Sequence, residues 1–163
     1  MYIKFDKAVL SDLDKIYQIE VENFVPQEVL SRETYKERIE KISSSFIVAR
    51  DELGKVMGFI VGKSSSSLYL EDEVFTITKE NIDSDPYYWV VTLAVDKECQ
   101  KFKIGSRLIQ NFLEQAKSEG KKAVSLTCVK ELVTYYEKFN FKNHGVSESK
   151  FAGHTWYNMV FEF

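Results

Sequence analysis

The feature that most constrains the fold is the apolar segment Trp89–Val95, WVVTLAV, together with the helical pattern that follows it. A nearly continuous apolar run of this length predicts a strand that is buried on both faces of a sheet. Between Ile104 and Gly120 the apolar residues recur at helical spacing, which predicts an amphipathic helix packed on that sheet. This succession predicts an α/β fold with a mixed central sheet and helices on both faces.

The remaining segments complete the predicted element order β-α-α-β-β-β-α-β-α-β-β. Strands are predicted over 2–8, 46–50, 56–63, 123–128, 142–149 and 155–163, and helices over 11–21, 31–42 and 131–139. A short turn containing Gly54 joins the second and third strands as a hairpin. The polar, serine-rich and then acidic stretch 64–86 is predicted to be a long, mobile connection of the kind that often carries function.

Composition limits the classes of protein to which the chain can belong. Its 163 residues, without a Pro/Gly-rich linker, predict one domain over 1–163, and a hydrophobic fraction of 44% is typical of a folded chain. The net charge of -3 and the scattered basic residues predict no nucleic-acid partner and no membrane partner. The N-terminus lacks the apolar stretch of a signal peptide, so a cytoplasmic protein is expected.

The two cysteines, Cys99 and Cys128, have neither the spacing of a metal site nor that of a redox motif. We therefore expect reduced thiols, with Cys128 buried in a strand, and no metal. His144 and His154 are expected to be surface or strand residues, since nothing in their spacing supplies a partner nucleophile.

The turn between the apolar strand and the amphipathic helix is the strongest candidate for a binding site. A strand that leads directly into a helix leaves several backbone N–H groups unpaired at the positive end of the helix dipole, which suits a pyrophosphate. Gly105 permits close approach of the backbone, and Ser106 offers a hydroxyl donor. Taken alone, this unit equally fits an ordinary strand-to-helix connection, because it lacks the multiple glycines of the known dinucleotide and nucleotide fingerprints.

Three segments read together resemble the GNAT superfamily of N-acetyltransferases, in particular its arylalkylamine N-acetyltransferase-like branch. Leu93–Val95 followed by Gln100–Gly105 is similar to the family's acetyl-CoA motif, and Tyr135–Phe141 is similar to its Phe-Tyr-x-x-x-Gly-Phe segment. The similarity extends to the last two strands and spans nearly the entire chain. The resemblance implies that acetyl-CoA, as co-substrate, contacts Leu93, Ala94, Val95, Gln100, Lys101, Phe102, Lys103, Ile104, Gly105, Ser106 and Tyr136.

Two positions depart from the family's glycines. Lys103 stands where the acetyl-CoA motif has its first glycine, and Asn140 replaces the glycine before Phe141. If these sites need positive φ, asparagine tolerates it better than lysine, for which the strain is roughly 1–2 kcal/mol. Trp89 and Val91 occupy the positions where the animal arylalkylamine enzymes carry two histidines. The proton relay proposed for those histidines therefore does not transfer to this chain.

The implied chemistry assigns a catalytic role to Tyr136. An alkylamine is mostly protonated at neutral pH and must lose a proton before it attacks a thioester, and the departing thiolate needs one. Tyr136 matches the family's tyrosine and is predicted to be that acid, although the residue pattern alone favours a tyrosine packed in the core. The base stays open. A chain of waters could do the work, or one of several carboxylates, although such a charge cluster is usually a solvated face: Glu20, Glu22, Glu71, Asp72 and Glu73.

We expect the chain to transfer acetyl from acetyl-CoA to a small primary amine, either arylalkylamine or polyamine-like, as a monomer or homodimer. The acceptor pocket is predicted between the segment 24–30 and the acidic connection 69–85. Two alternatives remain at this point: a regulatory module that binds CoA without turnover, and an enzyme that acetylates protein N-termini or lysines.

Overall fold

The computed structural model describes residues 2–163, and it confirms the predicted α/β class and the order of helices and strands. The strands are β1 (Lys4–Lys7), β2 (Phe46–Arg50), β3 (Val56–Ser65), β4 (Tyr87–Val95), β5 (Ala123–Cys128), β6 (Lys142–Val146) and β7 (Tyr157–Glu162). The helices are α1 (Leu13–Asn23), α2 (Arg32–Ile42), α3 (Ile104–Ser118) and α4 (Val133–Glu137), and short 3-10 turns connect several of these elements.

The seven strands form one sheet in the order β1-β2-β3-β4-β5-β7-β6. β4 and β5 run parallel, whereas the other neighbouring strands are antiparallel. A parallel pair needs a crossover connection, and α3 supplies it. The sheet is therefore mixed, with its single parallel step between β4 and β5 at its centre.

Helix α3 covers one face of the sheet through a stripe of four buried side chains at helical spacing: Ile104, Leu108, Phe112 and Ala116. Phe112 packs directly onto Gly62 of β3, where a Cβ atom would lie 2.3 Å from the ring. Glycine at this position is therefore required for the close approach of helix and sheet. Helices α1 and α2 cover the opposite face, with Ile16, Ile19, Tyr35 and Ile39 in a second cluster.

The predicted long connection between β3 and β4 is packed against the sheet. It contains a 3-10 turn over Asp72–Phe75, and Leu70 and Phe75 form a third buried cluster with Trp89. The Trp89 indole Nε1 donates a hydrogen bond of 2.9 Å to the carbonyl of Ser67. A serine-rich, acidic sequence gave no sign of these contacts because the few apolar residues that make them are widely spaced.

Candidate active site

The two central strands separate in the middle of the sheet. β4 and β5 pair only where Tyr87–Trp89 faces Ala123–Ser125, although β4 continues to Val95. Beyond Trp89, β5 retains β7 as its neighbour, so the edge of β4 that faces β5 has no strand beside it. An unpaired edge of this kind offers backbone N–H and C=O groups to an extended ligand, as an added strand would.

A β-bulge in β4 lies at the point where the strands separate. Val61 of β3 faces Thr92 and Gly62 faces Val90, so Val91 has no residue opposite it. The extra residue shifts the alternation of side chains, and Val91 and Thr92 both lie toward α1 and α2. It also re-aims the backbone groups next to the opening between the strands.

The bulge and the separation modify one expectation from the sequence. The segment WVVTLAV was predicted to be buried on both faces, yet Val91, Leu93 and Val95 are partly exposed. Their apolar side chains look like core in the sequence, but with β5 diverging Val91 and Leu93 line an opening instead, while Val95 packs against the edge of the first core cluster. The sequence pattern does not distinguish these two environments.

A cavity of about 160 Å³ lies in this opening and reaches from one face of the sheet to the other. On the α3 and α4 side it is lined by Val90, Leu126, Cys128 and Tyr136, which belong to the first core cluster. On the α1 and α2 side it is lined by Glu20, Phe24, Glu28, Leu30, Phe75, Phe151 and Trp156. Two ligands that approach from opposite faces can therefore meet inside it.

Tyr136 projects from α4 into this cavity and is only 8% exposed. Its ring packs edge-on against Tyr135 and Phe141, with centroids 5.1 and 5.9 Å away. Burial raises the pKa of the Tyr136 hydroxyl, and the neighbouring Tyr135 and Cys128 add to this effect. The phenol therefore stays protonated and is a weaker acid than an exposed tyrosine, and it lies where it can contact a group in the cavity.

Cys128 also lines the cavity, at the end of β5. It is buried as predicted, and burial raises its pKa to about 12. A thiol with this pKa is neutral at physiological pH and is a poor nucleophile.

The turn after β4 has the backbone conformation of an anion-binding loop. A 3-10 turn over Lys97–Phe102 is followed by Lys103 at φ 57° and ψ 34°, in the left-handed region, and α3 then begins at Ile104. A right-handed residue followed by a left-handed one brings successive N–H groups into one concavity, which here adjoins the start of the 15-residue helix α3. Both residues that replace family glycines adopt positive φ, since Asn140 lies at 68°.

Asp96 fixes the start of this turn. Its carboxylate accepts a hydrogen bond of 2.9 Å from the N–H of Glu98 and a 2.5 Å contact from Lys15 Nζ on α1. The lysine, with the N–H of Glu98, holds the pKa of Asp96 below its usual range even though burial acts in the opposite direction. Helix α1 is thereby tied to the turn that precedes α3.

The residues predicted to contact acetyl-CoA occupy different environments. Leu93 and Tyr136 line the cavity, whereas the side chains of Ala94 and Ile104 are buried in the core and leave only their backbone for a ligand. Gln100, Lys101, Phe102 and Lys103 are exposed on the turn, and Val95, Gly105 and Ser106 are half-buried. Gly105 lies beneath the Tyr135 hydroxyl, which a Cβ atom there would approach to 3.2 Å.

The other side of the cavity is an aromatic enclosure built from separate parts of the chain. Phe75 stacks on Phe151 with centroids 4.2 Å apart, and Phe151 lies against Trp156 at 6.2 Å. The Trp156 indole donates to the carbonyl of Phe151 at 2.9 Å, which fixes the connection between β6 and β7. The sequence predicted two of the contributing segments, 24–30 with Phe24 and 69–85 with Phe75. It did not indicate Phe151 and Trp156, whose spacing carries no periodic signal.

The acidic residues 71–73 do not line this cavity, which corrects the predicted composition of the acceptor pocket. Asp72 accepts hydrogen bonds from the Ser149 hydroxyl and from the N–H of Lys150, and Glu73 pairs with Lys79 at 3.2 Å. Asp72 therefore joins the turn after β3 to the loop that carries Phe151. The carboxylates at the cavity come instead from Glu20 and Glu28.

Glu20 belongs to a buried polar cluster that sequence reasoning did not identify. The carboxylate accepts hydrogen bonds from the Tyr35 hydroxyl and, at 2.8 Å, from the N–H of Leu30. Arg38, which is 1% exposed, lies over the Tyr35 ring and donates to Thr92 Oγ1 at 3.4 Å. The cluster thus connects α1 and α2 to the bulged part of β4.

Comparison with known proteins identifies the family. A family model described as an acetyltransferase (GNAT) domain matches residues 12–163, so the chain belongs to the GNAT acetyltransferases. It is therefore an acyltransferase that uses acetyl-CoA as the acetyl donor. No curated protein sequence matches it.

Solved structures share the fold over the whole chain. The loading GNATL domain of CurA from Lyngbya majuscula is 12% identical, with a TM-score of 0.79 over 99% of this chain and 98% of that one. Ard1 from Thermoplasma volcanium is 18% identical, with a TM-score of 0.76 over 99% and 98%. Arabidopsis thaliana Naa50, in complex with the bisubstrate analogue CoA-Ac-MVNAL, is 13% identical, with a TM-score of 0.75 and full coverage of both chains.

No helix within residues 2–163 is both long and apolar enough to cross a membrane.

Proposed function

We propose that the protein acetylates the primary amine of a small molecule with a flat apolar body, as the arylalkylamine-like branch does. The observation that carries this proposal is the aromatic enclosure around two carboxylates on the α1 and α2 side of the cavity. Aromatic rings hold an apolar body, while carboxylates and ring faces attract an ammonium group. A cavity of about 160 Å³ is small, which favours a compact acceptor.

In this proposal acetyl-CoA binds from the α3 and α4 side. Its amide-rich pantetheine arm would pair with the edge of β4 at Leu93–Val95, which no strand within residues 2–163 covers and where only the Val95 carbonyl is already bonded, to Asn23 at 2.9 Å and Gln100 at 3.5 Å. Its pyrophosphate would lie on the turn Gln100–Ser106. The left-handed Lys103 and the start of α3 support the second assignment, because together they place unpaired N–H groups in one concavity. The thioester then reaches the opening between β4 and β5.

The reaction proposed there is direct attack of the neutral amine on the thioester carbonyl. Backbone N–H groups of the bulged part of β4 are suited to stabilise the tetrahedral oxyanion, since they are fixed before the reaction begins. Collapse of this intermediate breaks the C–S bond, and the Tyr136 hydroxyl donates its proton to the departing thiolate. Its location in the cavity supports this role.

Acetylation of a peptide N-terminus is the second candidate. It is favoured by structural neighbours such as Naa50 and the NatC complex, which was solved with a Gag peptide and CoA. Those neighbours are under 20% identical and share the fold, whereas the aromatic enclosure is a feature of this chain. We therefore rank the small amine first, acting in the cytoplasm through a monomer or homodimer.

The test is a panel of arylalkylamines, polyamines and short peptides with acetyl-CoA, in which release of the CoA thiol is followed. We expect arylalkylamines to give the highest kcat/KM. Acetyl-CoA alone should also raise the melting temperature, because a ligand that binds the folded state stabilises it. Faster turnover of peptides would reject the proposed acceptor class, and acetyl-CoA binding with no acceptor acetylated would favour a regulatory module.

A further inference from the structure

The sequence offers five carboxylates as proton acceptors, and only one of them lines the cavity. Glu20 does so, whereas Glu22, Glu71, Asp72 and Glu73 lie elsewhere. We infer that Glu20 accepts the proton of the acceptor's ammonium group, and that Tyr35 and Arg38 are positioning residues that hold Glu20 for this role. This inference rests on the proposed amine acetylation.

The hydrogen bonds of Glu20 leave room for a substrate. One oxygen accepts from the Tyr35 hydroxyl and the other accepts from the N–H of Leu30 at 2.8 Å. A carboxylate has about four acceptor positions, so these two bonds fix its orientation while the remaining lone pairs stay available to the cavity. Glu28 lines the same wall, and its carboxylate lies 3.8 Å from His154 Nε2, a contact that is an ion pair only when the imidazole is protonated.

A buried positive charge favours the ionised form of Glu20. Arg38 is 1% exposed and forms no ion pair within 4 Å among residues 2–163. Its guanidinium donates hydrogen bonds to Thr92 Oγ1 and to the carbonyl of Val74, each at 3.4 Å. A buried guanidinium needs nearby negative charge, and Glu20, across the Tyr35 hydroxyl, supplies it together with Glu37.

The environment also tunes the affinity of Glu20 for a proton. Burial raises its pKa, and Glu28 adds to this; the Tyr35 hydroxyl, the Leu30 N–H and Arg38 act in the opposite direction. Tyr136 faces it from α4 as a neutral phenol. A carboxylate whose pKa lies above the ordinary value is a better general base near neutral pH than an exposed one.

The proton balance of the reaction is then complete. The ammonium N–H bond breaks, its proton moves to a Glu20 oxygen, and the nitrogen lone pair forms the bond to the thioester carbon. The C–S bond breaks as Tyr136 protonates the sulfur, and the nitrogen's next proton restores the Tyr136 hydroxyl. Glu20 releases its proton to solvent, so the net products are the amide, CoA thiol and one proton.

The first experiment compares Glu20→Gln with the matched control Glu22→Gln on the same helix, using the best amine of the panel. We expect Glu20→Gln to lower kcat/KM by about 100-fold or more at pH 7, with acetyl-CoA still raising the melting temperature. As the pH rises, kcat/KM of the wild type should level off once the pH exceeds the pKa of Glu20. In Glu20→Gln, kcat/KM should instead keep rising with pH until the pKa of the amine is reached. Equal activity and identical pH profiles would overturn the inference while leaving the acetylation itself established.

The second experiment separates proton transfer from a merely structural role. An arylhydrazine acceptor is uncharged at pH 7, so the defect of Glu20→Gln should shrink at least tenfold with it. Tyr35→Phe keeps the ring but removes a hydrogen bond that favours the carboxylate, so the acidic limb of kcat/KM should move to higher pH. An equal defect with both acceptors, or an unmoved limb in Tyr35→Phe, would assign the cluster to fold stability alone.

Discussion

The two sides of the cavity are built in different ways. The proposed donor side consists of consecutive residues, from the end of β4 through the Lys103 turn into α3, and it presents mostly backbone groups. The acceptor side brings together side chains from α1, the segment after it, the turn Asp72–Phe75 and the connection between β6 and β7. Main-chain geometry suits a donor that a whole family shares, whereas side chains from separate parts of the chain suit recognition of an individual acceptor.

Tyr136 lies where the two sides meet, and its removal should have the largest effect. Tyr136→Phe keeps the packing against Tyr135 and Phe141 and removes only the hydroxyl, so kcat should fall roughly 10²–10⁴-fold. Isothermal calorimetry should find the affinity for acetyl-CoA little changed. Full activity with a normal melting temperature would show that the tyrosine is a packing residue.

The acceptor side should respond to loss of an aromatic side chain. Phe151→Ala removes the ring stacked on Phe75. Removing the surface of such a side chain from water is favourable by about 1.5–3 kcal/mol, and an apolar acceptor that packs on the ring would lose a contact of this order. We expect the KM for the amine to rise about 10–100-fold and that for acetyl-CoA to stay within twofold. Tyr69→Ala, at an exposed aromatic outside the cavity, is the control. A larger change in the acetyl-CoA KM would reverse the assignment of the two sides.

The donor side should respond to a change of backbone preference. Lysine at φ 57° carries strain that glycine relieves, and the greater freedom of glycine in the unfolded state offsets part of this gain. Lys103→Gly should therefore raise the free energy of unfolding by about 0.5–1 kcal/mol in urea. Asn140→Gly, at a residue that tolerates this conformation, should change it less. A salt-sensitive loss of acetyl-CoA affinity in Lys103→Gly would assign this lysine to the phosphates.

The smallest effect is expected at the acidic turn. Glu71 and Glu73 lie outside the cavity, so their joint replacement by glutamine should change the acceptor KM less than twofold. Asp72→Asn should have a larger effect, because Asp72 holds the loop that carries Phe151. Steady-state kinetics would compare the acceptor KM of the two variants. A strong rise of this KM on replacement of Glu71 and Glu73 would show that these carboxylates line the acceptor pocket, as the sequence predicted.

Most of the fold could be predicted because its signals are local. The spacing of Ile104, Leu108 and Phe112 predicts α3, and strand propensity with a Gly54 turn predicts the β2–β3 hairpin, both of which the structure confirms. Positive φ at Lys103 and Asn140 was considered only as a condition, from the glycines they replace, and the structure shows it at both positions. The packing of the serine-rich connection 64–86 against the sheet could not be predicted, because its contacts join residues that lie far apart in the chain.

The sequence by itself determined the order of elements, the strand-to-helix turn and the family, since each depends on residues that lie close together along the chain. Only the tertiary structure decided where β4 leaves β5, which side chains enclose the cavity and which carboxylates reach it. A bulge at Val91 is one extra residue that no propensity encodes, yet it shifts every later side chain of β4. Glu20 differs from Glu22 in the sequence only by its place on the helix, and burial beside Tyr35 and Arg38 gives it a distinct chemistry.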